Sequence, residues 1–366
     1  MKKENLLIWF SGAVVGLLAV LLVLFGNPLN MGFCIACFER DIAGALGLHR
    51  AAVVQYIRPE ILGIVLGAFI AGYSSKEFRP EGGSSTITRF FLGILVMIGA
   101  LVFLGCPLRM MIRLGGGDLN ALVALVGFIV GIAVGVYFLK SGFDLGRARE
   151  QRTFSAWVLP IVMVGLLLLL ILAPVFNPDA GGPIFFSIEG PGAQHAVIAI
   201  SLIAGLLVGF LAQKSRLCLA GGVRDWMLIK DSYLIKGFIA IIAVVLIGNI
   251  LIGILGITGT NTPVFNLGFA EQPVAHAEHL WNFLGMALVG LGSILLGGCP
   301  LRQLVLAGNG NTDSSISVLG MIVGAAISHN FMLAASPKGV PDFAKYAVIG
   351  GLIICLAVGA LNREKA

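Results

Sequence analysis

The chain has 366 residues, 58% of them apolar and only 11% charged, with 50 glycines and a net charge of +6. A soluble domain carries about 25% charged residues and about 7% glycine, so this charge is too sparse to coat a water-soluble surface of this size. These proportions exclude a soluble enzyme, a nucleic-acid binder and a disordered scaffold, and they predict an all-α polytopic membrane protein seated in the lipid bilayer.

Apolar stretches of about 17 to 25 residues mark spans. They fall near 7–26, 59–73, 88–105, 119–140 and 154–174, and again near 195–212, 234–258, 280–298, 315–334 and 343–361. Lys2 and Lys3 precede the first run as in a signal peptide, but the run is too long and no small-residue cleavage site follows, so it reads as a retained span. With the amino terminus cytoplasmic and ten alternating spans, 17 of the 24 Lys and Arg fall inside, among them Lys76, Lys140, Arg147, Arg149, Arg152, Lys214, Arg216 and Lys365. Both termini are then cytoplasmic, in a cell inner membrane. Arg40, Arg50, Arg58, Arg109 and Arg113 fall on the nominal outer side, beside cysteine-bearing segments, where they read as marking an anion path.

Gly105-Cys106-Pro107-Leu108-Arg109 recurs as Gly298-Cys299-Pro300-Leu301-Arg302, and Gly127 and Gly131 recur as Gly320 and Gly324 in the same register. Cys34-Ile35-Ala36 with Arg40-Asp41 likewise recurs as Cys218-Leu219-Ala220 with Arg224-Asp225. The chain is thus a duplicated unit. Corresponding spans lie an odd number apart, which predicts two inverted pseudo-symmetric repeats with the substrate site near the midplane between them. The organisation is a first inverted repeat over 1–152, a linking span and outer loop over 153–193, a second inverted repeat over 194–340, and a terminal span with a cytoplasmic tail over 341–366. Segments 30–50, 106–117, 213–230 and 299–312 are too short or too polar to cross, and read as re-entrant half-helices meeting at the centre. Glycine pairs at helical spacing, such as Gly63 with Gly67 and Gly205 with Gly209, permit close helix packing.

Proline suits the first position of a helix, so each Gly-Cys-Pro-Leu-Arg places its cysteine at the N-cap and its arginine in the first turn. A thiol there, beside exposed backbone N–H groups and a cation, is placed to meet an incoming anion. Cys106 and Cys299 are the leading candidates, with Arg109 and Arg302 supplying charge and the duplicated Cys34 and Cys218 completing the set. Asp118 and Asp313 read as N-caps of the spans that follow. Cys37 has no counterpart, since Gly221 takes its place; Cys34 and Cys37 make a C-x-x-C, which leaves open a thiol oxidoreductase. Cys355 reads as a small buried hydrophobe. Arg40-Asp41 and Arg224-Asp225 read as internal pairs. His276-Ala277-Glu278-His279 is either a metal-binding loop or a solvated one, and His329 is either a proton carrier or a packed polar group. The sequence has no phosphate-binding G-x-x-x-x-G-K-[ST], and no Asp or Glu falls mid-span, which removes the usual carboxylate for proton or sodium coupling. No cofactor or metal is expected.

Duplicated membrane halves with re-entrant Gly-Cys motifs resemble the YeeE/YedE family of sulfur-compound transporters. Met31-Gly32-Phe33-Cys34-Ile35-Ala36-Cys37 and Gly-Cys-Pro-Leu-Arg are most similar to its selenium-metabolism branch. The resemblance implies a non-enzymatic importer of a small selenium- or sulfur-containing anion, and a substrate passed between re-entrant cysteines through S–H contacts. By position Cys34, Cys106 and Cys299 match those cysteines. A third reading makes the chain a partner that hands sulfur or selenium to a cytoplasmic carrier protein.

Overall fold

The computed structural model describes residues 2–172 and 184–363. Residues 173–183 of the linking span and outer loop, the side chains of Lys2 and Lys3, and the Lys365 anchor lie outside the described residues. The expected ten crossings are all helices: α1 (Lys2–Leu24), α3 (Pro59–Ser74), α4 (Thr86–Phe103), α6 (Asn120–Lys140), α7 (Thr153–Ile171), α9 (Ile198–Ser215), α11 (Tyr233–Leu255), α12 (His279–Leu296), α14 (Thr312–Asn330) and α15 (Asp342–Leu361). Eight stretches among the described residues are long and apolar enough to cross a bilayer. The helices at the other two expected crossings have local reasons for falling short. α3 has 16 residues, about 24 Å at 1.5 Å per residue. α14 opens on Thr312-Asp313-Ser314-Ser315 and closes on His329-Asn330. The chain is an all-α polytopic membrane protein.

Between these helices lie α2 (Ile35–Ala45), α5 (Pro107–Gly115), α10 (Leu219–Ile229) and α13 (Pro300–Gly308), of 9 to 11 residues each, and one four-residue turn, α8 (Gly190–Ala193). A helix of that length covers only about half of a ~30 Å hydrocarbon core. Pro107 and Pro300 start α5 and α13 at the position where a missing N–H costs nothing. Before each, the chain turns through a left-handed residue at equivalent positions, Leu104 (φ 62°) and Gly297 (φ 85°).

Helix packing follows a two-fold pattern. α1 packs on α11 as α3 packs on α9; α6 packs on α12 as α4 packs on α14; α2 lies on α14 as α10 lies on α6; α5 lies on α11 as α13 lies on α3. α4 and α12 face each other, as do α1 and α9. α7 lies against α3 and α13, and α15 against α4 and α12. The glycine pairs make these crossings tight. A Cβ at Gly63 would meet Leu202 O of α9 at 2.6 Å, and one at Gly205 would overlap Glu60 O of α3.

Loop contacts sort the helix ends onto two faces. On one, Lys236 Nζ donates to Asn5 Oδ1 (2.6 Å), Asn309 Nδ2 donates to Glu77 O (3.0 Å), and Glu81-Gly82 pairs antiparallel with Arg149-Glu150. On the other, Leu119 N donates to Gly268 O (3.0 Å), Ala196 N to Asn27 Oδ1 (2.9 Å) and Asn330 Nδ2 to Leu48 O (2.9 Å).

The outer-loop histidines are built into this frame. His276 Nε2 donates to Val102 O at 2.7 Å while Nδ1 accepts from Glu278 N, and Glu278 Oε1 accepts from Val340 N. His279 packs on Phe269 instead. The four residues of that motif therefore do not converge, and no group of three metal-ligating side chains forms among the described residues. Burial lowers the pKa of His276, His49 and His195 below the ordinary histidine value. An unfolded chain takes up these protons first as pH falls, so folding stability is fully present above about pH 6.5 and declines below it. The thermal midpoint of the purified protein is expected to be lower at pH 5.5 than at pH 7.5. His276→Gln keeps a donor for Val102 and should flatten that slope; an unchanged slope would rule out its share.

Candidate functional site

Four thiols occupy four helix starts. Cys34 is the N-cap of α2, and its Sγ accepts from Cys37 N at 3.3 Å; Cys218 is the N-cap of α10, and its Sγ accepts from Gly221 N at 3.2 Å. The cap uses the backbone N–H three residues on, so it needs no side chain there, and cysteine in one copy and glycine in the other serve equally. Cys106 and Cys299 are the N-caps of α5 and α13. The structure then pairs them in a way the repeat does not spell out. Ile35 N, just after Cys34, donates to Cys106 Sγ at 3.2 Å, and Cys218 Sγ approaches Cys299 Sγ at 3.9 Å. Each repeat thus contributes one thiol pair, buried, made by the starts of its two short helices. α2 also touches α13, and α10 touches α5. All six cysteines are reduced, and Cys355 is buried on α15.

The two arginines differ. Arg109 is fully buried and each guanidinium nitrogen is engaged: Nε with Asn30 O (3.0 Å), Nη1 with Leu104 O and with Cys37 Sγ (3.7 Å), Nη2 with Val274 O (3.1 Å). Arg302 has no hydrogen bond or ion pair among the described residues, and its Nη1 is buried.

The other outer-side arginines are structural. Asp41 Oδ1 accepts from Arg40 at 2.7 Å and its Oδ2 from Arg58 at 2.7 Å, all three side chains being almost wholly buried. Arg113 pairs with Asp118 at 2.6 Å and stacks over Phe103, and Arg50 lies over Phe185. Arg224 pairs with Asp225 at 2.8 Å at the surface. The capping expectation is corrected in both copies: the N-cap of α6 is Leu119, with Asp118 one residue before it and accepting from Asn120 N, and α14 is capped by Asn311, which accepts from Ser314 N. Asp313 instead accepts from Gly83 N and Ser84 N, across the loop from α4.

Mid-span carboxylates gave no signal in the sequence, yet two buried ones lie on shorter helices. Glu60 accepts from Asn27 and Ser201. Glu39 on α2 is fully buried, and among the described residues neither of its oxygens has a partner. His329 stacks on His49 with 4.5 Å between ring centroids and has no partner at Nε2.

The sulphur-transport family model matches residues 1–108 and 214–350, segments that hold all four paired cysteines. The chain belongs to the sulphur-transport family. Curated relatives include the thiosulfate transporter TsuA of Spirochaeta thermophila, 30% identical over 129 residues, 35% of this chain and 36% of the relative. Its namesake in Escherichia coli K12 is 28% identical over 134 residues, 37% of this chain and 35% of the relative. The chain spans about a third of the length of these sulphur-transport relatives. Arg302 lies within the family match, whereas Arg109 falls one residue beyond it.

Proposed function

We propose that this sulphur-transport family member is an inner-membrane importer of a small sulfur- or selenium-containing anion, which crosses through a constriction lined by Cys34, Cys106, Cys218 and Cys299. The observation that carries the reading is the pair of thiol pairs at the starts of α2 with α5 and α10 with α13. Two inverted repeats, 1–152 and 194–340, would present those pairs in series along the path. The termini lie in the cytoplasm, where a sulfur or selenium carrier protein receives the product.

The chemistry suits a soft solute. An S–H group is a weak donor, and helix-start N–H groups favour an anion, so the anion loses part of its hydration at each pair without being trapped. Several weak sites in series satisfy the need both to enter and to leave. Thiosulfate, the solute in the names of the two relatives, has a soft terminal sulfur; a selenium-bearing anion offers the same kind of atom.

The test is uptake of labelled thiosulfate and of a labelled selenium anion by cells carrying the wild-type chain, Cys106→Ala or Cys299→Ala. Losing one thiol contact of roughly 1 kcal/mol should slow uptake about fivefold in each variant. Unchanged uptake in both would end the cysteine path.

A further inference from the structure

α5 and α13 begin with the same five residues, yet their arginines end in opposite states. Every nitrogen of Arg109 has an acceptor, whereas Arg302 has none among the described residues and its Nη1 is shut away from solvent. The sequence explains the difference. Cys37, which takes the Nη1 of Arg109, is replaced by Gly221 in the second repeat. A side chain there would crowd the site, since a Cβ on Gly221 would stand 3.2 Å from Cys218 Sγ. The other acceptors differ as well: Val274 O comes from the 256–278 loop, and on either side of Gly297, the counterpart of Leu104, the carbonyls of Leu296 and Gly298 accept from Gln303 Nε2.

Arg302 is half-buried with Nη1 sealed and unpaired, and a charged donor shut away without a partner is costly and is retained where it binds something. Arg302 stands in the first turn of α13, three residues after its N-cap Cys299, whose Sγ lies 3.9 Å from Cys218 Sγ. The contact between these two thiols uses one S–H and leaves the other to point at a ligand. Lys214, Arg216 and Lys236 line a cavity of about 660 Å³ with Asp231 as its one acid, and the chain links it to this group through Arg216, two residues before Cys218.

Resting on the transport reading, we propose that, beside the weak thiol contacts in series, the path has one strong, asymmetric anion site, built from Arg302, Cys218 and Cys299 in the second repeat. Its ligand carries oxo oxygens at one end, which the guanidinium holds in a two-pronged contact, and a soft sulfur or selenium at the other, which the thiols contact. The first repeat has no such site, because Arg109 is consumed by three carbonyls and Cys37. The site selects a thio- or seleno-oxyanion over sulfate, which has the oxygens without the soft atom.

The experiment is equilibrium binding of ³⁵S-thiosulfate to the purified full chain in detergent, with unlabelled sulfate as competitor, alongside flux of the same label into vesicles. The wild type should bind one thiosulfate per chain, and sulfate should compete at least about tenfold less well. Arg302→Gln should weaken binding about tenfold or more, and because it unpairs nothing its thermal midpoint should match the wild type. Arg302→Lys keeps the charge without the fork and should fall between the two. Arg224→Gln, which removes a nearby cation already paired with Asp225, should bind as the wild type does. Two bound anions per chain, or wild-type affinity in Arg302→Gln while vesicles still take up label, would overturn this site and leave the transport reading standing. Arg302-dependent binding without flux in any vesicle would instead overturn transport and leave the site.

Discussion

Asp41→Asn is expected to cost about 3–5 kcal/mol of folding stability, the penalty for breaking a buried ion pair by removing one partner. The carboxylate is wholly buried and holds Arg40 through Oδ1 and Arg58 through Oδ2. An amide gives up one acceptor and the charge, which leaves two guanidinium groups buried without a counter-ion. Arg58 would keep Gln194 O, Pro191 O and the face of Phe38, but these neutral partners do not replace a counter-ion. The repeat supplies its own control. Asp225 is the equivalent residue, yet it is 25% exposed and Arg224 is 30% exposed, so Asp225→Asn should cost under about 1 kcal/mol. Thermal unfolding of the two purified variants compares them directly, and equal shifts would show that burial does not set the value of the pair.

That contrast also shows why the sequence could be followed only part of the way. The spans were legible because apolar length is a property of a single segment, and the short helices because Gly-Cys-Pro-Leu-Arg occurs twice. What the duplication hides is divergence between the copies. Arg40-Asp41 and Arg224-Asp225 are the same dipeptide, but only the first is sealed in, by an Arg58 17 residues downstream with no match in the second copy. Outer-side arginines beside cysteines read in sequence as markers of an anion path. In the structure Arg40, Arg58 and Arg113 are absorbed by Asp41 and Asp118, because partner identity depends on contacts that spacing does not encode. Arg109 and Arg302 are indistinguishable by motif, and the difference lies in Cys37 against Gly221 and in carbonyls from distant loops.

The thiols follow the same rule. Equivalence in sequence relates Cys34 to Cys218 and Cys106 to Cys299, whereas contact relates Cys34 to Cys106 and Cys218 to Cys299. The first relation is the duplication in the sequence and the second is the candidate site. Glu39 was invisible for a different reason: a search for carboxylates in spans passes over a half-helix, and its burial comes from the helices packed around α2.

Gly131→Ala should cost about 3 kcal/mol, the upper end for forcing extra volume into a packed contact. A Cβ at Gly131 would overlap Ala287 O and lie 2.9 Å from Leu291 N, both backbone atoms of α12 that no rotamer change can move. α6 and α12 must therefore separate along a crossing whose closeness supplies much of the attraction between helices in lipid. Gly324 is the equivalent residue, facing Ile94 and Met97 of α4 at 2.9 to 3.0 Å, and Gly324→Ala should cost somewhat less because these contacts are longer than the overlap at Gly131. Gly165 on α7 has nothing within 4 Å, so Gly165→Ala should be neutral or stabilising by up to about 1 kcal/mol through helix propensity alone. The consequence for transport follows from the chain path. α12 runs directly into Gly297-Gly298-Cys299, so pushing it away from α6 shifts Cys299 relative to Cys218. Gly131→Ala is expected to lower both the thermal midpoint and thiosulfate uptake although it touches no thiol, while Gly165→Ala leaves uptake intact. Normal uptake in a Gly131→Ala protein that has lost stability would mean that the thiol pair tolerates movement of α12, and the close packing would then be a matter of folding alone.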